Sequence, residues 1–248
     1  MRHDGRALDQ LRPFSLEPGF IGSALGSVLV ATGRTRVICT ASREAKPPGW
    51  LTQGGWVTAE YAMLPGAVRP RGRREPDGRA KEIQRLIGRS LRAAIDLEKL
   101  VGPQGPVALT VDCDVIEADG GTRTAAITGG MVALALAVRA LQREGVLTAD
   151  PVRALVAAVS VGVCPLPAAD AEVPMLDLAY VEDSQAVVDC NVVMLERGGL
   201  VEIQGTGERG GFDRPTLSRM LDLAESGIAS LFAGQHAALA KVAEQAGS

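Results

Sequence analysis

Two periods of hydrophobic and polar residues alternate along the chain, and they predict where strands and helices lie. Between 26 and 41, apolar side chains recur at every second position on either side of Gly33, which is the period of a strand with one buried face. Glycine is common in turns, so Gly33 marks the turn of a predicted β-hairpin. Similar alternation or short apolar runs predict further strands at 57–63, 107–116, 156–164, 175–181, 187–195 and 201–204.

Three other segments follow the period of a helix. The first carries apolar residues at three- and four-residue spacing, namely Ile83, Leu86, Ile87, Leu91, Ala94 and Ile95. The second is an apolar helix over 124–143. Asp213 caps the third, with Pro215 in its first turn, and Gly227 and Gly234 are candidate breaks in it. This order of elements, without a break in composition, predicts one α/β domain over residues 1–248.

Composition narrows the classes of function. The chain of 248 residues has a net charge of −3, so binding of nucleic acid would have to come from local basic clusters. Aromatic residues make up 3%, which disfavours a binder that stacks an aromatic on most bases. Four cysteines without a CxxC pair and two histidines at opposite ends disfavour a zinc site and a histidine relay. The polar first residues and the short apolar runs predict a cytoplasmic protein without a membrane span.

A glycine-rich junction at 119–124 is the first candidate site. Gly120 and Gly121 let the backbone approach a ligand closely, and the helix predicted to follow offers unpaired N–H groups and the positive end of its dipole. Thr122 adds a hydroxyl group, and Arg123 adds a planar fork that matches phosphate oxygens. An ordinary tight turn before a capped helix is the plainer interpretation. A cation in the first helical turn opposes the dipole, however, and a bound anion would explain it.

A basic stretch runs from 69 to 92 and carries nine basic and three acidic residues, a local net charge of +6. Its first part is rich in proline and glycine, which indicates a loop, and its second part is the first predicted helix. Arg85, Arg89 and Arg92 share one face of that helix. One interpretation is a solvated surface with salt bridges, which we favour for Arg92, and the other is an electrostatic surface for RNA phosphates. The two interpretations are compatible. The candidates for RNA contact are Arg69, Arg71, Arg73, Arg74, Arg79 and Arg89.

Two carboxylates are candidates for a metal site. Asp177 and Asp183 are six residues apart, so on an extended strand both would point to one face, where they could hold Mg²⁺. Spacing alone favours a turn residue and an edge charge instead. Asp177 lies between two leucines, however, and a carboxylate there needs a partner. Asp189 has the same parity but follows the turn predicted near Ser184, so the spacing argument does not reach it.

Several motifs in the same order resemble the ribonuclease PH family over nearly the whole chain. They are TAEY at 58–61, EIQRLIGR at 82–89, DCDV at 112–115, ADGGTRT at 118–124, AAVSVG at 157–162, EDS at 182–184 and VEIQGT at 201–206. Two loops depart from the family pattern, at 49–55 and 207–211, and both concern the contacts with RNA rather than the chemistry.

The resemblance implies a fold and an activity. The fold would be of the α+β or α/β type with the β-α-β arrangement of a ribosomal protein S5 domain 2-like unit. The implied activity is reversible phosphorolysis of the 3′ ends of tRNA precursors and other RNA by a hexamer, a trimer of dimers, with release of nucleoside 5′-diphosphates. Inorganic phosphate would be the co-substrate, bound by Arg85, Gly121, Thr122 and Arg123. The catalytic acids, which would also hold Mg²⁺ or Mn²⁺, would be Asp177 and Asp183.

Two other functions stay open from the sequence. A hydrolytic, metal-dependent nuclease would need more carboxylates around two ions, and those available are Asp112, Asp114, Glu117 and Asp119. A non-catalytic RNA-binding subunit of a ring would lack the phosphate-binding arginine or the acidic pair, both of which this chain has.

Overall fold

The structure is a computed structural model and describes residues 2–75, 77–166 and 171–246. Its strands are β1 Phe14–Pro18, β2 Gly26–Thr32, β3 Thr35–Arg43, β4 Trp56–Met63, β5 Val101–Gly102, β6 Gly105–Pro106, β7 Ala108–Glu117, β8 Val156–Leu166, β9 Ala171–Leu176, β10 Val188–Leu195 and β11 Leu200–Gly207. Its helices are α1 Gly78–Ala93, α2 Thr122–Arg143, α3 Tyr180–Asp183 and α4 Arg214–Ala246, with a short 3₁₀ turn at Pro65–Ala67.

The strands form two main sheets, and the predicted mixed class of α and β structure is confirmed. The first sheet has the order β1-β2-β3-β7-β4 and is antiparallel except for the parallel pair β4–β7. The second has the order β11-β10-β8-β9 and is antiparallel throughout. Strands β5 and β6 form a separate two-stranded ribbon.

Most predicted strands are confirmed, and one is wrong after its second residue. The hairpin is β2–β3, with Thr32 opposite Thr35 at its turn, and five further strands appear as β4, β7, β8, β10 and β11. The strand predicted over 175–181 ends at Leu176, and α3 begins at Tyr180. Asp177 has a φ of 52°, a left-handed conformation that cannot continue a strand.

Helix α4 runs through both glycines that were candidate breaks. A Cβ atom at Gly227 would lie 2.9 Å from both Cδ atoms of Leu176, and one at Gly234 would lie 2.7 Å from Cε1 of Phe14. The glycines therefore let α4 pack closely against the sheets. This packing offsets the cost of about 1 kcal/mol for a glycine inside a helix.

Helix α2 is the central helix and contacts both sheets. The largest hydrophobic cluster joins its side chains to those of β2, β3, β7 and β8. By length and composition alone α2 could cross a membrane, but 94% of its most apolar window is buried inside the protein, as expected for a core helix. Helix α2 packs between the two sheets. Its N-terminus at Thr122 therefore lies at the boundary between the first sheet and the second.

Candidate active site

The diglycine turn before α2 packs directly against the segment that carries the predicted acids. Gly120 and Gly121 both have positive φ values, 79° and 67°. A Cβ atom at Gly120 would lie 2.6 Å from the carbonyl oxygen of Leu178 and 2.8 Å from the amide nitrogen of Tyr180. The Tyr180 amide also donates to the carbonyl oxygen of Asp119 at 3.1 Å. The two candidate sites found in the sequence are therefore neighbours in space.

The N-terminus of α2 is open to an anion. Gly121 is its N-cap residue, and no side chain caps this end. The amide groups of the first helical turn have no carbonyl partner within the helix, so they point to the space in front of it. The Thr122 side chain does not cap the helix, because its hydroxyl oxygen lies 2.8 Å from the buried hydroxyl group of Tyr61. The tyrosine belongs to the motif at 58–61, to which no role was assigned, and it contacts Thr122 from strand β4.

Arg123 is held toward α1 by a glutamine that the sequence did not single out. Its Nη1 atom donates to Gln204 Oε1 at 2.6 Å, and Gln204 Nε2 donates to Glu82 Oε1 at 2.6 Å. Arg85 and Gln204 line one cavity of about 380 Å³ beside α1. The two arginines predicted to bind phosphate therefore border the same region, although they are 38 positions apart in the sequence.

The arginines predicted to contact RNA are exposed. Those before and at the start of α1 are solvent-accessible, namely Arg69, Arg71, Arg73, Arg74 and Arg79. Arg89 is also exposed, but its guanidinium group makes two-pronged bonds of 2.8 to 3.1 Å with the carboxylate of Glu202. These bonds raise the pKa of Arg89. Contact of these residues with RNA stays a prediction, and Arg89 would have to exchange Glu202 for a phosphate.

Asp177 does not share a strand face with Asp183. The prediction from their six-residue spacing, that both side chains point to one face of a strand, is wrong. The strand ends before Asp177, and Asp183 is the last residue of helix α3. The Asp177 carboxylate is buried and hydrogen-bonded by Arg12, which donates from its backbone N and from Nε to Oδ2, at 2.7 and 3.0 Å, and from Nη2 to Oδ1, at 2.7 Å. Arg6 forms a longer ion pair with it, 3.6 Å from Nη1 to Oδ2. As a metal ligand, Asp177 would have to give up these bonds. Its catalytic role stays a prediction, against which this geometry argues.

Asp183 has another carboxylate neighbour, Asp189 on strand β10. Burial raises the pKa of Asp189 to about 6, and the charge of Asp183 contributes in the same direction. Burial also raises the pKa of Asp183, and the charges of Arg79 and Arg123 oppose this effect. The charge of Glu208 raises the pKa of both residues as well, so Asp183 and Asp189 form an acidic pair in the same electrostatic environment as Arg123 and Glu208. An acid inside an otherwise apolar strand was the signal in the sequence that could have identified Asp189.

Asp183 and Asp189 are the residues that could hold a divalent cation. Burial is the main reason why the pKa of each carboxylate is raised, and the charge of Asp183 adds to the effect at Asp189. Oxygen ligands of this kind are those that Mg²⁺ prefers, and the charge of the ion would remove the repulsion.

Replacement of Asp189 by asparagine is expected to stabilise the metal-free protein. The folded pKa of about 6 lies above the ordinary value of 3.8, so the folded state binds more protons between these values and stability falls as the pH rises through them. Asparagine does not titrate, so the stability of the Asp189→Asn variant does not fall in this way. Its free energy of unfolding at pH 7.5 should exceed that of the parent by on the order of 1–2 kcal/mol, after allowance for solvent screening. Urea unfolding in EDTA at pH 4.5 and 7.5 measures it. A variant less stable than the parent at pH 7.5 would contradict the assignment.

This chain matches two family models and proteins of known name over most of its length. Residues 10–140 match the model of the 3′ exoribonuclease family, domain 1, and residues 154–227 match that of domain 2. A protein named ribonuclease PH from Corynebacterium glutamicum (strain R) is 54% identical over 245 residues, which are 96% of each chain. One of the same name from Caulobacter vibrioides (strain NA1000 / CB15N) is 52% identical over 246 residues, covering 96% of this chain and 99% of that one.

Solved structures share the fold at lower sequence identity. Rice (Oryza sativa) Rrp46 superposes with a TM-score of 0.74 and 20% identity, over 96% of this chain and all of that one. A chain of the Archaeoglobus fulgidus exosome with RNA bound to the active site superposes with a TM-score of 0.79 and 24% identity, over 95% and 92% of the two chains. At these identities the likeness concerns the fold alone.

Proposed function

The chain belongs to the 3′ exoribonuclease family, and we propose that it shortens RNA by phosphorolysis, as an enzyme of the ribonuclease PH type. The observation that carries the proposal is the packing of the diglycine turn against the acid-bearing segment, with Arg123 beside both. An anion site and an acidic pair at one place suit a reaction in which inorganic phosphate attacks a phosphodiester.

The reaction needs two anions to be brought together. Arg85, Arg123, the Thr122 hydroxyl group and the open amides of α2 would bind inorganic phosphate and offset its repulsion from the RNA. An oxygen of that phosphate attacks the phosphorus of the last phosphodiester, and the bond to the 3′ oxygen of the preceding nucleotide breaks. The 3′ oxygen takes up a proton, for which Asp183 is the candidate donor. The products are a nucleoside 5′-diphosphate and an RNA shorter by one nucleotide. The reverse reaction is a nucleotidyl transfer.

Asp183 and Asp189 would hold Mg²⁺ or Mn²⁺. The bound ion supplies positive charge that stabilises the phosphodiester during transfer. The role of Asp177 in this set, which the resemblance implied, would require its release from Arg12.

The substrate and assembly follow from the same proposal. The exposed arginines at 69–79 would guide the RNA backbone without regard to sequence, and binding would weaken with salt. The substrates would be tRNA precursors and other RNA 3′ ends. We also propose a ring-shaped homo-oligomer, a hexamer made of three dimers, and a cytoplasmic location.

The hydrolytic alternative loses most of its carboxylates. Asp112 and Asp114 lie on β7, on the face opposite its buried residues, and their acidic neighbours are Glu60 and Glu44 rather than Asp183. Glu117 is paired with two exposed arginines at the end of the same strand. The acidic pair near Arg123 thus has no further acid from β7 to complete a two-metal hydrolytic site.

Omission of phosphate tests the proposed function. We expect a 3′-labelled RNA to be shortened in buffer with inorganic phosphate and Mg²⁺, and to stay intact when sulfate replaces phosphate at equal ionic strength. Ion-exchange chromatography should find nucleoside 5′-diphosphates as products. Equal shortening in sulfate, with release of nucleoside monophosphates, would reject phosphorolysis and favour hydrolysis.

A further inference from the structure

Arg12 is a buried arginine that joins the two halves of the candidate site. Its side chain is 4% exposed, and its bonds to both oxygens of Asp177 use the backbone N, Nε and Nη2. The same guanidinium group donates from Nη1 to the carbonyl oxygen of Asp119 at 2.6 Å and from Nη2 to that of Gly120 at 3.4 Å. One planar group thus contacts the acid-bearing segment on one side and the diglycine turn on the other.

Both attachment points lie next to residues of the proposed chemistry. Asp119 and Gly120 directly precede the turn that leads into Thr122 and Arg123. Thr35 holds the same turn from β3, because its hydroxyl group donates to Gly120 O at 2.7 Å and accepts from the Asp119 amide at 2.8 Å. A shift of Arg12 would therefore move the phosphate-binding turn relative to the acids.

Two further arginines hold the acid-bearing segment from the same N-terminal stretch. Arg2 donates to both oxygens of Glu182, at 2.7 and 2.5 Å, and to the carbonyl oxygen of Leu176 at 2.6 Å. Arg6 donates to the carbonyl oxygen of Asp177 at 3.1 Å. Glu182 immediately precedes Asp183, so these bonds restrain the position of that acid. The N-terminal arginines thus fix one wall of the site, and Arg12 fixes its distance from the other.

We propose that Arg12 is a positioning residue that sets the phosphate-binding turn against the acid-bearing segment, with Asp177 as its buried counter-ion rather than a ligand of the metal. The inference rests on the proposed function. It explains why a left-handed, buried aspartate occurs at 177: its carboxylate is the partner that fills the donor fork of Arg12. A lysine cannot take this place, because a single ammonium group lacks the fork that reaches four oxygens at once.

The test compares Arg12→Lys and Asp177→Asn with the parent chain. Inorganic phosphate binding is measured by calorimetry, and phosphorolysis is measured at varied phosphate, RNA and Mn²⁺. We expect Arg12→Lys to lower kcat/KM for phosphate about 100-fold, the effect of a displacement of roughly 1 Å in a reacting site, and to change KM for RNA less than twofold. Asp177→Asn should show the same phosphate-specific loss with an unchanged half-saturation by Mn²⁺. Arg34→Lys, at an exposed ion pair with Glu117, is the matched control and should behave as the parent.

The outcomes separate this inference from the proposed function. A parent chain that binds phosphate but does not phosphorolyse RNA rejects the function, while the calorimetric affinities of the variants still decide the role of Arg12. Unchanged phosphate binding and kcat/KM in Arg12→Lys overturn the inference. If Arg12→Lys does not fold, Asp177→Asn decides: a phosphate-specific loss supports positioning, and a tenfold rise in the Mn²⁺ half-saturation shows that Asp177 is a ligand and overturns it.

Discussion

Replacement of Asp183 by asparagine is expected to lower kcat for phosphorolysis about 10³-fold or more, because the variant loses the carboxyl group that serves as metal ligand or as proton donor. Asparagine keeps the shape of the side chain at the end of α3, so the fold should be retained. Burial raises the pKa of Asp183, which is the direction that suits a proton donor. Single-turnover release of nucleoside 5′-diphosphate measures the chemical step without the contribution of product release.

The matched control for Asp183→Asn is Asp222→Asn. Asp222 is exposed on α4, so the same change of charge there should leave kcat unchanged. The Asp183 variant should also need a higher Mn²⁺ concentration for its residual activity. If it retained the parent's kcat and metal dependence, the acidic pair would have no part in the reaction, and the non-catalytic RNA-binding alternative would regain support.

Replacement of Arg123 by lysine is expected to raise KM for inorganic phosphate and to lower kcat/KM about 10²- to 10³-fold, in the range found when a charge-stabilising donor is removed from an active site. Lysine keeps the charge but offers a point donor instead of a planar fork. It also loses the geometry that joins Arg123 to Gln204, which positions the side chain between α1 and α2. Initial rates at varied phosphate, with saturating RNA, provide the measurement.

Arg143→Lys is the matched control for this experiment. Arg143 is exposed in the last turn of the same helix, far from the diglycine turn, and its replacement should leave both constants unchanged. An Arg123→Lys enzyme with the parent's KM for phosphate would show that the anion does not bind in front of α2. Phosphate would then have to bind elsewhere along the cavity that Arg85 lines.

Local patterns predicted much of this fold. The hairpin, helix α1 and the apolar helix α2 follow from the spacing of apolar residues. An element with one buried face has apolar residues at regular intervals, and an element buried on all faces is apolar along its length. The diglycine turn was also predictable, since only glycine adopts positive φ without a steric cost at two consecutive positions. At 175–181, where the pattern was ambiguous, the strand ends because Asp177 adopts a left-handed backbone conformation. The spacing of apolar residues does not predict such a conformation.

The partners of the acids were not predictable in the same way. Arg12 and Asp177 are 165 positions apart, and Arg123 and Gln204 are 81 positions apart, so neither pair leaves a local pattern. Spacing selected Asp177 and Asp183, whereas the acids that share one electrostatic environment are Asp183 and Asp189. The six-residue spacing is the same in both pairs, but a turn of helix lies within the first pair.

The sequence by itself determined the mixed α/β class, the central apolar helix and the diglycine turn before it, because each depends on neighbours along the chain. Only the tertiary structure decided which carboxylates lie near Arg123, which arginines neutralise Asp177 and which glutamine accepts a hydrogen bond from Arg123. Those choices depend on how two sheets pack around α2, and that packing brings together residues whose separation in the sequence carries no period.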